Sequence, residues 1–237
     1  MSRGAYLLDL ELVPYREAWA LQRSLAGAVS QGDMPDTVVL LEHPPVITLG
    51  RRAEDGELHV PEGAQVEIVE TDRGGKSTYH GPGQLVCYPI LDLRRHGQDV
   101  KRYCRELEEA LIRTMRPLGV EATRIAGLTG IWLQPPPRKI ASIGIHVSKW
   151  VTTHGYALNV DLDPAPFTDW ITACGLEDAA FTTIARELGR AVTVDEVRPY
   201  AAAALEEVFS LSLEELPADE AHGLWPQPVH GQIAGVP

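Results

Sequence analysis

One run constrains this chain more than any other: Arg73-Gly74-Gly75-Lys76-Ser77-Thr78-Tyr79-His80-Gly81-Pro82-Gly83-Gln84. It cannot propagate a helix, because Pro82 lacks an N–H and clashes with the turn before it. Its glycines instead permit tight turns and close approach of the backbone to a bound group. Turn chemistry alone accounts for the glycines but not for the Thr, His and cations between them. Gly75-Lys76-Ser77 looks like the end of a phosphate-binding P-loop, but that motif needs Gly at position 70, where Glu stands, and a helix afterwards. The run also lacks the order of a dinucleotide fingerprint.

The flanking sequence mixes two periods. Leu8, Leu10 and Leu12 alternate with Asp9 and Glu11, as in a half-buried strand, and Tyr15, Ala18, Trp19, Leu25, Ala26 and Val29 then follow helical spacing. Strands are expected at 37–41, 65–70 and 85–90. The segment 99–118 predicts a helix with Val100, Tyr103, Cys104, Leu107, Leu111, Met115 and Leu118 on one stripe. Residues 139–147 and 151–160 read as a hairpin, and Thr193 with Glu196 makes a capping box for a helix running to about Phe209. This irregular interleaving predicts an α+β fold, a mixed sheet with flanking helices. No linker interrupts 5–210, so one catalytic domain over 1–216 is expected. The Pro- and Gly-rich residues 217–237 read as a mobile tail.

Charge and cysteine usage narrow the function classes. A formal net charge of -12 argues against a nucleic-acid binder. The charge is uneven, however: residues 161–237 carry 3 basic and 14 acidic groups, residues 111–160 carry 6 basic and 1 acidic. Most of it reads as solvated surface; the sharper expectation is a positive face that steers an acidic protein. Asp9 and Glu11 break the only N-terminal apolar stretch, and no segment of about 18 apolar residues could span a bilayer. Three cysteines without framework spacing suit a reducing compartment, so a cytoplasmic protein is expected.

None of the 8 histidines forms an i,i+4 pair, and no metal motif is present in the sequence, so no metal is expected, though His146 and His154 could meet across the hairpin. Cys87 and Cys104 sit in apolar patterns and read as small buried hydrophobes. Cys174 remains, in a polar, glycine-adjacent setting. A thiol attacks as thiolate, so it needs a neighbour that favours the anion. Lys139 is a candidate: it opens a strand after Pro135-Pro136-Pro137, and it is one of 4 lysines among 21 cations. An ammonium about 4 Å from a thiolate is worth on the order of 4 kcal/mol at an effective dielectric near 20, before desolvation is deducted. On composition alone, an exposed lysine with no role fits equally well. His80 suits either a donor near an oxyanion hole or a ring that ties down a loop.

Taken together, these blocks resemble the lipoyl(octanoyl) transferase family, which shares a fold group with biotin and lipoate protein ligases. The family pattern R-G-G-x-x-T-x-H-x-P-G-Q is matched from Arg73 to Gln84 and continues in Tyr88-Pro89-Ile90. Arg138-Lys139-Ile140-Ala141-Ser142-Ile143-Gly144 matches its lysine segment, and His154, Gly155, Ala157, Leu158 and Asn159 match its H-G-x-A-L-N block. Upstream, Glu42-His43-Pro44-Pro45-Val46 and Thr48-Leu49-Gly50-Arg51 also fit. One departure is Ala173, where the family has Pro before the cysteine.

The resemblance implies Cys174 as acyl-thioester nucleophile and Lys139 as its activating partner. It implies substrate contacts from Arg73, Gly74, Gly75, Lys76, Ser77, Thr78, Tyr79 and His80, from Ser142, Ile143 and Gly144, and from Gly155, Tyr156 and Ala157. The implied reaction moves octanoyl or lipoyl from acyl carrier protein to a lysine of a lipoyl domain, in 2-oxoacid dehydrogenases or the glycine cleavage H protein. No cofactor is expected, since the donor thioester is already activated, and a monomer is compatible with this reading. Ile143, Ile145, Val147 and Leu158 are expected to line an acyl tunnel or to serve as ordinary core. The rivals are an ATP-dependent lipoate–protein ligase, an octanoyl transferase between two carrier proteins, and a non-catalytic module that holds lipoyl domains or acyl chains.

Overall fold

The computed structural model describes residues 2–172 and 180–216, with Gly223 and Trp225. Cys174 and nearly all of the expected tail lie outside the described residues. Alternation over the first residues gives β1 (Arg3–Leu12), and the helical spacing after it gives α1 (Tyr15–Gln31), which Gly32 ends in a left-handed conformation. Then come β2 (Thr37–Glu42), β3 (Val46–Leu49), β4 (Glu67–Glu70), β5 (Ser77–His80) and β6 (Gln84–Ile90). The glycine run is therefore not all loop: β5 lies inside it and pairs antiparallel with β3.

Helix α2 (Val100–Met115) starts where the Asp99 carboxylate accepts from the N–H groups of Lys101 and Arg102. It stops three residues before the expected end, in a 3-10 turn over Arg116–Leu118, where Pro117 removes a donor. Val100 is exposed rather than part of the buried stripe. After β7 (Thr123–Ile125) and β8 (Leu128–Leu133), the expected hairpin appears as β9 (Arg138–Ser148) and β10 (Val151–Asn159). The chain continues through α3 (Pro166–Asp169), β11 (Ala180–Phe181), α4 (Ile184–Leu188), α5 (Val194–Phe209) and β12 (Leu211–Glu215). Thr193 caps α5 by accepting from the Glu196 N–H at 3.2 Å. The reciprocal half of the capping box gives way to an ion pair between the Glu196 carboxylate and Arg190.

A mixed sheet with the order β12-β1-β2-β6-β10-β9-β8-β7, with β11 beside β9, forms the centre, as the α+β reading requires. β12–β1, β1–β2 and β11–β9 are parallel, and the other pairs are antiparallel. Period-2 alternation divides the core. Val38, Leu40, Leu85 and Cys87 join Tyr103, Leu107, Leu111 and Leu205 of α2 and α5 on one face. Val39, Leu41 and Val86 join Leu21, Leu25 and Val29 of α1 on the other. Every residue of β6 and of β10 is buried, because both faces of the sheet are covered there. A small sheet, β4-β3-β5, lies apart from the large one. Among the described residues, no helix is long and apolar enough to cross a membrane.

Candidate active site

β8 pairs with β9 only as far as Ala141, and past that point the outer edge of β9 meets the glycine run: the Gly74 N–H donates to the Ile145 carbonyl at 2.8 Å. One strand inward, Gly144 stands opposite Gly155. A Cβ on Gly155 would lie 2.2 Å from the Cys87 carbonyl oxygen, so only glycine lets β10 and β6 come this close. Between these elements is a cavity of about 370 Å³, within the usual size of small-molecule sites.

Most of the expected site residues meet here. Arg73, Gly74, Gly75, Lys76, Ser77, Thr78 and His80 line the cavity from the glycine run. Lys139, Ser142, Ile143 and Gly144 line it from β9, and Gly155, Tyr156 and Ala157 from β10. Tyr79 does not. Its ring packs edge-on to Phe167 and Trp170 in a separate apolar cluster. Of the expected tunnel residues, Ile143 and Ile145 line the cavity, whereas Leu158 is fully buried in the core and Val147 packs against it. Cys104, expected to be a buried hydrophobe, is half-buried and faces the cavity, and burial raises its thiol pKa. Cys87 is fully buried as expected.

Each polar group is held by partners far away in sequence. The buried Arg73 guanidinium donates from Nη2 to the Thr48 carbonyl at 2.6 Å and from Nε to the Thr48 hydroxyl at 3.0 Å. His80 donates from Nδ1 to Gln84 Oε1 at 2.7 Å, Gln84 donates to Asn159 at 3.0 Å, and Asn159 donates to the Thr182 carbonyl at 3.1 Å. Thr182 N–H in turn donates to the Lys139 carbonyl at 3.0 Å. His80 thus ties a loop and lines the cavity at once. Burial, with His43 nearby, holds its ring pKa well below the ordinary value, leaving it neutral. Lys76 is fixed by Glu57 and Glu54, at 2.9 and 3.0 Å.

Sequence reasoning missed a cluster of buried polar rings at the inner end. Tyr15 stacks on His80 with centroids 5.9 Å apart, and its hydroxyl lies 3.4 Å from His154 Nδ1. His154 Nε2 donates to Asp72 at 2.7 Å, and that hydrogen bond, more than any other influence, lowers the Asp72 carboxyl pKa to about 2. His146 and His154 do meet, on Asp72. Among the described residues, no group of three or more His, Cys, Asp or Glu side chains could hold a metal ion. Tyr88 donates to His43 Nε2 at 2.7 Å and also lines the cavity. In sequence, Tyr15 is one apolar position of a helical stripe, and Tyr88 belongs to the matched block Tyr88-Pro89-Ile90 with no role attached.

Cys174 lies outside the described residues, but both flanks of its segment are anchored at the cavity. The Thr172 N–H donates to the Glu57 carbonyl at 2.9 Å, and Glu57 accepts from the Ser77 hydroxyl at 3.0 Å. On the other side, Phe181 pairs with Lys139 itself. Five arginines between residues 102 and 138 are matched by the chain's own carboxylates: Arg102–Glu106, Arg105–Glu108, Arg113–Glu109, Arg124–Glu108 and Arg138–Glu187.

Known proteins share this framework. An octanoyltransferase of Geobacter sulfurreducens is 49% identical over 213 residues, covering 90% of this chain and 88% of that protein. One of Mycobacterium tuberculosis is 53% identical over 198 residues, covering 83% and 84%. The fold is similar to that of a bipartite lipoate protein ligase of Thermoplasma acidophilum, with a TM-score of 0.72 at 17% identity, over 94% of this chain and 91% of that one. A family model described as the lipoyl protein ligase A/B catalytic domain matches residues 14–206, a span that includes the glycine run and the β9–β10 hairpin. By that match and those identities, the chain belongs to the lipoyl protein ligase A/B catalytic domain family.

Proposed function

We propose that this protein transfers an octanoyl group to a lysine of a lipoyl domain through a thioester on Cys174. One observation carries the reading: Lys139 is buried in the wall of the cavity, and the segment bearing Cys174 is anchored there at both flanks, by Thr172 and by Phe181. Octanoyl transfer itself is supported by octanoyltransferases about half identical over most of the chain.

In the first step, the Cys174 thiolate attacks the donor thioester carbonyl. A new C–S bond forms, the old one breaks, and Lys139 gives its proton to the departing thiolate of the phosphopantetheine arm on acyl carrier protein. In the second step, the acceptor lysine amine attacks the acyl-enzyme. The C–N bond forms, Cys174 leaves as thiolate, and Lys139 takes the amine's proton, which restores the starting state. The first step is a near-neutral exchange of one thioester for another, and the second runs downhill from thioester to amide; the carbonyl is activated in both, so neither step calls for a nucleotide. Arg73–His80, Ser142–Gly144 and Gly155–Ala157, apart from Tyr79, form the substrate wall. Lipoyl domains of 2-oxoacid dehydrogenases and the glycine cleavage H protein are the proposed acceptors, and lipoyl is an alternative cargo.

Intact mass spectrometry after mixing with octanoyl-acyl carrier protein, without ATP, tests this directly. The expected result is a gain of one octanoyl group, removable by hydroxylamine and missing in Cys174→Ala. No adduct under rapid quenching, with activity appearing only when ATP and free octanoate are supplied, would instead identify an ATP-dependent ligase.

A further inference from the structure

β8 and β9 are not in simple register where they pass the cavity. Ile131 pairs with Ala141, but the next residue, Trp132, pairs with Lys139, so β9 advances two residues for one of β8. In unbroken register Ile140 would stand opposite Trp132. The bulge re-aims the strand, as such insertions do beside active sites, and the side chain brought onto Trp132 is Lys139.

The contact is specific. The Lys139 ammonium lies 5.4 Å from the centre of the Trp132 ring, within the distance at which an indole face attracts a cation. Both residues are buried, at 2% and 3% exposure, and both line the cavity. Trp132 is not held there by its hydrogen-bonding group, because the indole N–H is buried with no acceptor among the described residues. A second adaptation stands two residues away. Gly130 has a φ of +105°, and a Cβ there would come within 2.9 Å of Lys139 Cε and 2.5 Å of the Ala141 carbonyl oxygen. The lysine stem passes through space that any other residue at 130 would occupy.

We propose that Trp132 is a positioning residue for Lys139, its indole face and the gap at Gly130 together holding the ammonium at the reacting end of the cavity. The inference rests on the role of Lys139 given above. The ring acts through the lysine and takes no part in bond making.

The test is a double-mutant cycle on the full chain, read by two rates: acyl-enzyme formation from octanoyl-acyl carrier protein, and alkylation of Cys174 by iodoacetamide at pH 7. In the Lys139 background, Trp132→Leu is expected to slow both about tenfold, with KM for the donor changed less than twofold. Trp132→Phe keeps an aromatic face and should stay within about threefold of the parent. In the Lys139→Ala background, Trp132→Leu should cost nothing further in alkylation rate. Equal slowing by Trp132→Leu in both backgrounds, or Phe as slow as Leu, would overturn the inference and make Trp132 ordinary core. Lys139→Ala leaving both rates untouched would overturn the role of Lys139, and the inference with it. Should Trp132→Leu fail to fold, Trp132→Met, which keeps bulk without an aromatic face, decides the same question: it is expected to slow alkylation about tenfold only when Lys139 is present, and equal slowing in Lys139→Ala would overturn the inference.

Discussion

The central strands separate two interiors that are built on different rules. On the side of α2 and α5, Leu85 and Cys87 of β6 meet Tyr103, Leu107, Leu111 and Leu205 in one large, mainly apolar cluster. On the side of α1 and the small sheet, the same strand presents Tyr88, and four other polar rings gather around it: Tyr15, His43, His80 and His154. The first interior supplies stability that tolerates repacking. In the second, the polar atoms of His43, Tyr88, His80 and His154 are held by particular partners, so geometry is fixed at the cost of adaptability. A cavity wall needs that rigidity, because side chains that contact a substrate must not move with it.

Changes on each side should therefore have different signatures. The largest effect is expected from Leu107→Ala, in the apolar interior: about 2–5 kcal/mol of stability lost in denaturant titration, with transfer rate per folded molecule unchanged. A fall in that rate would show that the two interiors are coupled. Acid should attack the other side first. Burial lowers the His43 ring pKa to about 4, below its ordinary 6.5, so the folded state refuses a proton that the unfolded chain accepts. Stability contributed by the neutral ring is complete above about pH 6.5 and is lost as pH falls toward 4, on the order of 3 kcal/mol. Proton NMR should show this ring titrating near 4; a midpoint near 6.5 would remove the effect.

Gly155→Ala should damage both interiors together, because its Cβ would strike the Cys87 backbone: about 1–3 kcal/mol of stability and most of the activity. Tyr15→Phe removes only the hydroxyl beside His154. It should lower stability by about 1 kcal/mol yet reduce kcat/KM about fivefold, a larger functional than structural loss. Smallest of all is Arg102→Ala, which breaks an exposed pair with Glu106 and should shift neither melting temperature nor rate measurably. A clear loss of donor association there would revive a steering role for the basic surface.

Legibility in the sequence followed the same division. Elements with one covered face, such as β1 and α2, carried their period openly, and the β9–β10 hairpin was also readable from its turn. β3, β5, β8 and β12 were not read as strands: their pairings are short and leave little local signal, and β12 in addition pairs with β1 at the other end of the sequence. Among site residues, the glycine run stood out because glycines interleaved with polar side chains have few other uses, whereas the β9 and β10 contacts were legible only through the family resemblance. Tyr79 stands outside the cavity lining, its ring against Phe167 and Trp170, a placement set by packing that its own neighbours in sequence do not reveal. Nothing local marked Trp132, Tyr15 or Tyr88 as site residues, because the contacts that make them so, with Lys139, His154 and His43, are set by strand pairing and tertiary packing.

The parallel pairing of β1 with β12, Arg3 opposite Leu211, has a consequence during synthesis. One edge of the N-terminal strand has no partner until the ribosome has passed residue 215, by which time every cavity-lining residue has already been made. The newborn chain thus carries an open strand edge until β12 has been made, a standing invitation to pair with a neighbouring chain. Crowding on polysomes, or a pause before the last strand emerges, should lower the yield of soluble enzyme more than heating the finished protein by a few degrees would.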